Sequence, residues 1–478
     1  FEDGYRLEAT EVDSEGDKVS LELFRDGVLM DSAVVEPSKE NATIDERTYL
    51  YKRPVGGEDV VFIAVHFKNA FSSGRDHLVT VDGLWQISEE TIFIKEGDEW
   101  GEMTVEDLDF DNVTITMTNE DHKIGFSRGR SRLLMGDIGI KTADQDDVDN
   151  AIDAATGRPQ NPLRFCIYRD VKGPGTYEVR GHVGEVVDGS TWVWNSANFA
   201  GFSYEMDEGL GDESLFLKVE ADRLDEKDGA VYVARAQRKG MEFEEWGDLW
   251  TISFLGEASF AGYAEGLLRD ESESPNMLAE EQLVKVLIDD DRRRTFDTDS
   301  PLGLAGGYKL SIESVDERGD KVSLALFKDG VLMDSQVIEP SRPGADLKDQ
   351  TYIYSRRVGG ADDLVVIAVH FRSAFATGND GFAEADGIWQ ISDEAVSVEE
   401  GDEYGDMTVE EVDSRDMTIA MTNENVISFK PDDDLPLFGD IRIRTADQNV
   451  ANNSINASTG LSENPLRFYV YRAETIES

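Results

Sequence analysis

The chain has 478 residues, with 100 Asp and Glu against 46 Lys and Arg, for a formal net charge of −54. Phosphate contacts need a basic face, so nucleic acid is excluded as a partner and an anionic membrane surface is disfavoured. Hydrophobic residues make up 40% of the chain, enough for packed cores, and no apolar run is long enough to cross a bilayer.

The first clear element is a β-hairpin. Val19, Leu21 and Leu23 alternate with Ser20 and Glu22, the period of a half-buried strand. Asp26-Gly27 then supplies the turn and Val28–Val35 the returning strand. Val60–Phe67 is almost wholly apolar and predicts a strand buried on both faces. Val113, Ile115 and Met117 alternate with Thr114, Thr116 and Thr118. Cys166, the single cysteine, stands in Phe165-Cys166-Ile167-Tyr168 and reads as a small buried hydrophobe. Thr176–Val187, Thr191–Trp194 and Trp246–Leu255 read as strands. Ser272–Leu278 is a polar break, and periodicity leaves Ala279–Ile288 open between a short helix and a strand. Asp289 to Arg294 then opens a charged connector that ends near Gly306-Gly307.

Beyond that connector the chain repeats itself. GDKVSLELFRDGVLMDSAVVEPS at 16–38 returns as GDKVSLALFKDGVLMDSQVIEPS at 319–341, with four differences in 23 positions. Ile63-Ala64-Val65-His66-Phe67 returns at 367–371, Gly83-Leu84-Trp85-Gln86-Ile87-Ser88 at 387–392, Thr142-Ala143-Asp144-Gln145 at 445–448, and Asn161-Pro162-Leu163-Arg164-Phe165 at 464–468. The offset is 303 or 304 throughout, and one residue is gained between Gly360 and His370. Many short strands with Gly and Asp turns predict an all-β protein, tandem β-sandwich domains joined by short linkers. The expected domains are 1–170, 171–300 and 301–478, the third repeating the first.

These residues resemble the S-layer duplication-domain family of Methanosarcina-type archaea. The resemblance is carried by Asn198-Phe199-Ala200-Gly201-Phe202, Trp246-Gly247-Asp248, Phe260-Ala261-Gly262-Tyr263 and Val286 to Asp291. Lys328-Asp329-Gly330, Val369-His370-Phe371 and Gly401-Asp402-Glu403-Tyr404-Gly405 complete it. It implies units of two linked β-sandwiches in tandem, with 171–474 one full unit and 1–170 the second half of another. It further implies an extracellular structural protein that tiles a lattice with copies of itself and has no catalytic role. Any hold on a membrane would come through a segment absent from this chain, and the gene product is expected to be longer at both ends.

Four sequons predict N-glycan acceptors: Asn41, Asn112, Asn452 and Asn456. Asn41 is expected in a loop, Asn112 at the start of a strand, and Asn452 and Asn456 in a polar, turn-rich stretch. Three carboxylate clusters are candidate hard-cation sites: Asp144, Asp146 and Asp147; Glu96, Asp98 and Glu99; and Asp289, Asp290 and Asp291. None has the alternation of an EF-hand loop, and solvated turns are the favoured reading, with Asp289–Asp291 paired to Arg292–Arg294. No cofactor is expected, and Ca2+ or Mg2+ enters only as a support for assembly. His66 and His370 read as satisfied core histidines. His77, His122 and His182 form no ligand-spaced set, and no nucleophile elbow, P-loop or dinucleotide fingerprint is present. Trp85, Trp192, Trp194, Trp246, Trp250 and Trp389 read mainly as core rather than as a sugar platform. The alternatives to a lattice protein are a secreted adhesin or carbohydrate-binding sandwich, and a glycoside hydrolase, which needs two carboxylates about 5 to 10 Å apart in a cleft.

Overall fold

The computed structural model describes residues 1–478 except 14–16, 56, 74–75, 121, 154–155, 158, 270–275, 317, 319–320, 378–379, 450, 456–461 and 478. Among the described residues every regular element is a β-strand apart from two short 3-10 turns, Glu244–Trp246 and Met277–Glu280. The chain divides into two compact units, Phe1–Lys123 and Ile124–Ser478.

The first unit holds three antiparallel three-stranded sheets. One joins β1 (Tyr5–Val12), β2 (Val19–Arg25) and β3 (Val28–Val35); the second joins β4 (Thr48–Val55), β5 (Glu58–Ser73) and β6 (Asp76–Gln86). Leu21, Leu23, Val35, Tyr49, Ile63 and Val65 pack between these two in one apolar core. The third joins β7 (Glu99–Trp100), β8 (Met103–Asp109) and β9 (Thr114–Thr118). The predicted β2–β3 hairpin forms because Asp26 and Gly27 both take positive φ, 48° and 81°, the type I′ geometry whose twist matches the flanking strands. Asp329 and Gly330 repeat it at 50° and 83°.

The second unit contains two sandwich cores. In the first, a long sheet runs through 237–240, 247–254, 257–266, 282–290, 380–397, 361–377 and 351–358, and faces a sheet of 302–303, 308–315, 322–328 and 331–338. In the second, 403–404, 407–413, 418–423, 230–235, 213–220, 223–224 and 427–428 form one sheet, facing 175–185, 467–476, 441–445 and 434–438. Both cores therefore draw strands from either side of the boundary expected at 300/301, and the expected 1–170 domain is cut at 123/124. The strand Gln282–Asp290 settles the open reading of 279–288. The charged connector is itself built into the sheet, Arg294–Asp297 pairing with Phe382–Ala385. The residue gained in the second copy is taken up as a bulge near Asp363, whose φ is +52°.

The two copies meet their surroundings differently. Leu364 through Phe371 is buried throughout, because the strands 247–254, 257–266 and 282–290 pack in the same core. In the equivalent Val60–Phe67 only Phe62, Ile63, Val65 and Phe67 are buried, a correction to the sequence reading. The strands 247–290 that cover the second copy have no counterpart in residues 1–123.

Candidate functional site

Of the four sequons, Asn41 is exposed in a turn at φ +61°, as expected of a loop. Asn112 is not the start of a strand: it lies in the exposed turn before β9, where its amide nitrogen donates to Asp109 Oδ2 at 2.7 Å. Asn452 is exposed but sits in a short strand, Asn452–Ile455, rather than a turn. Asn456 lies outside the described residues.

The carboxylate clusters are occupied by the protein's own donors. Arg128 spans Asp144 at 3.3 Å and Asp146 at 2.9 Å. Asp98 accepts from the Lys95 backbone N–H at 2.8 Å, closing a turn. Asp290 pairs with Arg292 and Arg294, as the sequence suggested, and Arg292 above all holds its carboxyl below the ordinary range. Asp289 turns the other way, to Lys239 Nζ at 3.3 Å. Glu208 and Glu242 lie 3.4 and 3.8 Å from the same ammonium. Burial raises the pKa of Asp289, Glu208 and Glu242. It works against the charge on Lys239 too, but Asp289 and Glu208 outweigh it and keep that pKa above its usual value. Sequence spacing missed this group, because its members come from three separate segments. No group of three or more His, Cys, Asp or Glu poised to hold a metal occurs among the described residues.

Lys239 and Asp289 line a cavity of about 130 Å3 together with Ser203, Gln237, Thr251 and Trp389. Ligand pockets are usually about 300 Å3 or more. The raised carboxyl of Asp289 meets a fixed ammonium there, so the space holds an internal ion pair rather than a bare acid and base.

Each copy carries a part-buried ionic pin at equivalent positions. Asp393 accepts from the Tyr308 hydroxyl at 2.9 Å, from Arg356 at 2.8 Å and from Lys328. Glu89 accepts from Tyr5, Arg25 and Arg53. Burial opposes ionisation at both, yet the surrounding hydroxyl and cations hold each carboxyl below its ordinary pKa. The repeated histidines are also satisfied: His370 Nδ1 lies 2.6 Å from Asp386 Oδ1 and His66 Nδ1 2.5 Å from Asp82 Oδ1. His182 stacks on Trp194 at 4.8 Å. Trp194, Trp246 and Trp389 are core residues, whereas Trp85 is exposed. Cys166 is exposed as well, contrary to the buried reading. Its strand, Phe165–Arg169, ends a three-stranded sheet, while the equivalent Arg467–Ile476 is flanked by Gly175–Glu185.

The S-layer protein family profile matches residues 1–144 and 183–447, taking in most of both copies. The chain belongs to that family. It is 28% identical over 450 residues to the major S-layer protein of Methanosarcina barkeri, covering 93% of this chain and 61% of the relative. It is 27% identical over 483 residues to the major S-layer protein of Methanosarcina acetivorans, covering 99% and 64%. That of Methanosarcina mazei is 27% identical over 485 residues, again covering 99% and 64%. The chain thus spans a little under two thirds of these relatives. Within this S-layer family member, the residues gathered most tightly are ion-paired supports of the sandwiches.

Proposed function

We propose that this chain is a structural subunit of an archaeal surface layer, lying outside the cell and self-assembling into a protective lattice. Membership of the S-layer family across both copies carries the reading. The duplicated sandwiches support it physically, since repeated domains offer repeated contact surfaces. The net charge of −54 would line the openings of such a lattice with carboxylates, slowing anions and admitting small cations. The same charge makes assembly depend on ionic strength. About 0.15 M salt shortens the Debye length to roughly 8 Å and lets like-charged faces approach. In this reading Ca2+ or Mg2+ acts through the general acidity of the surface, and Asn41, Asn112, Asn452 and Asn456 are candidate glycan acceptors. The chain is read as structural rather than catalytic in this account, since the raised carboxyl of Asp289 in the cavity faces the Lys239 ammonium at 3.3 Å.

Electron microscopy of the purified chain and of the native envelope tests the proposal. A periodic array that assembles more readily as salt or divalent cation is added is the expected result. A chain that stays dispersed at every ionic strength, in an envelope without a periodic coat, overturns it.

A further inference from the structure

The second copy repeats a clasp that the first copy uses. Arg164 grips a turn in the segment that follows the first copy. Its Nε donates to the Met206 carbonyl at 2.8 Å and an Nη to the Asp207 carbonyl at 2.7 Å. The Asp144 backbone N–H donates to the Asp207 carboxylate at 2.7 Å. The turn is closed by its own pair of bonds, from the Glu205 N–H to the Leu210 carbonyl at 2.7 Å and from the Leu210 N–H to the Glu205 carbonyl at 3.0 Å. Gly209 has φ +76°, and a Cβ there would stand 2.8 Å from the guanidinium carbon of Arg164. Backbone conformation and the close approach of the arginine both require glycine.

A buried glutamine builds the clasp. Gln145 donates to Asn161 Oδ1 at 3.2 Å and to the Pro162 carbonyl at 3.3 Å, and accepts from the Arg164 N–H. Gln448 repeats the three bonds with Asn464, Pro465 and Arg467, at 3.3, 3.1 and 2.7 Å. The frame is thus complete in the second copy, but no turn of this chain lies on it. Arg467 is exposed, and neither its guanidinium nor the Asp447 N–H has a partner among the described residues. Ala143, next to Asp144, is fully buried, whereas Ala446 is half-buried.

We propose that Arg467 and the Asp447 N–H bind an acidic Asp-Glu-Gly turn of the Glu205–Leu210 kind, carried by a further β-sandwich half. The proposal rests on the duplication alone and goes beyond the lattice reading, whose failure would leave it standing. The nine residues Thr-Ala-Asp-Gln and Asn-Pro-Leu-Arg-Phe are unchanged between the copies, whereas the 15 between them, 146–160 and 449–463, agree at five. Burial accounts for Thr445, Gln448, Leu466 and Phe468, but not for Asp447 or Arg467.

The chemistry of the first clasp fixes that of the second. Two carbonyls side by side suit a guanidinium fork, which a lysine does not reproduce. The carboxylate on the backbone N–H adds a charge-assisted bond. Arg128 offsets the charge of Asp144 in the first copy, and the second has Lys430-Pro431 in place of Ser127-Arg128, so a cation is kept one position away. A second copy of this chain has no such turn to spare, since its own already lies on its own Arg164. The partner is therefore a different half with the same turn, and the joint runs in series, as it does from Arg164 to Met206 and Asp207. Three surface bonds give a weak contact in isolation, with a Kd on the order of 1 mM, which tethering strengthens.

Saturation-transfer NMR of a backbone-cyclised Tyr204–Gly211 peptide, mixed with the whole 478-residue chain at high salt, tests this. The parent chain should transfer magnetisation to the peptide, and Arg467→Ala or Arg467→Lys should cut binding about tenfold. Arg164→Ala should leave it undiminished, and a Gly209→Ala peptide should not bind. Arg467 is exposed, so its variants should keep the parent's unfolding temperature. No transfer from the parent chain, or equal transfer from the parent and Arg467→Ala chains, overturns the clasp. Sedimentation of the chain alone checks the occupant: self-association abolished by Arg467→Ala would mean that a second copy supplies the turn, and overturns the assignment to a further half.

Discussion

Trp85 and Trp389 hold the same position in the two copies, yet Trp85 is 58% exposed and Trp389 fully buried. Trp389 donates its indole N–H to the Tyr263 hydroxyl at 2.7 Å and packs near Phe260, both from the segment that covers only the second copy. Trp389→Ala should cost about 3–5 kcal/mol, the range for deleting a buried tryptophan. Trp85→Ala should fall within about 0.5 kcal/mol, as at ordinary surface sites. Chemical unfolding measures both, and equal losses would contradict the difference in cover.

Gly83 and Gly387 offer the same comparison at the backbone. A Cβ on Gly387 would lie 2.8 Å from Phe243 Cγ, in the ring that stacks on His370, whereas one on Gly83 meets only His66 Cβ at 3.2 Å. Gly387→Ala should therefore destabilise by about 1–3 kcal/mol, the usual cost of overpacking. Gly83→Ala should be the milder change in thermal unfolding.

Asp393 predicts acid sensitivity. Its pKa is lowered in the folded chain, so its contribution is fully present above the ordinary carboxylate range. It is lost as pH falls from about 4 through the lowered folded value. Asp393→Asn should cost about 1–3 kcal/mol at neutral pH, since it removes the negative charge that Lys328 and Arg356 face and leaves a neutral amide in its place. The gap to the parent chain should narrow in unfolding curves taken at decreasing pH.

Glu213 has the opposite sign. Its carboxylate is buried, accepting from the Tyr232 hydroxyl and the Gly256 N–H at 2.8 Å each, and from the Ser203 N–H at 3.0 Å. Burial nonetheless raises its pKa above the ordinary glutamate value. Its favourable contribution is complete below the unfolded pKa and declines as pH rises through the folded one. Whatever constant offset Glu213→Gln introduces, the variant should gain on the parent chain as pH rises from 4 to about 7. A fixed difference in melting temperature across that interval would contradict the shift.

Much of the local structure was legible. Asp26-Gly27 and Asp329-Gly330 announced hairpins because few sequences tolerate two successive positive φ angles. The match of 16–38 with 319–341 announced the duplication. The partition of strands between cores was not legible. Alternation tells which side of a strand is buried but not which distant strand lies beside it, so 213–220 and 418–423 gave no sign of joining one sheet through 230–235. The same blindness misplaced Cys166, whose apolar neighbours imply burial only when a flanking strand is present. The Lys239 cluster escaped for a related reason: an ion pair assembled from remote segments leaves no spacing to read.

The strand Gly175–Glu185 lies antiparallel to Arg467–Ile476, with Gly175 opposite Ile476. The chain thus enters and leaves this sandwich at one spot, through the two ends of a single ladder. Tension applied across that spot would part the ladder like a zipper, one rung at a time, instead of shearing all its rungs together. Such a module yields early under stretch. A sheet built from it would draw its toughness from sideways bonds between neighbours, and the thread joining successive modules would carry little load.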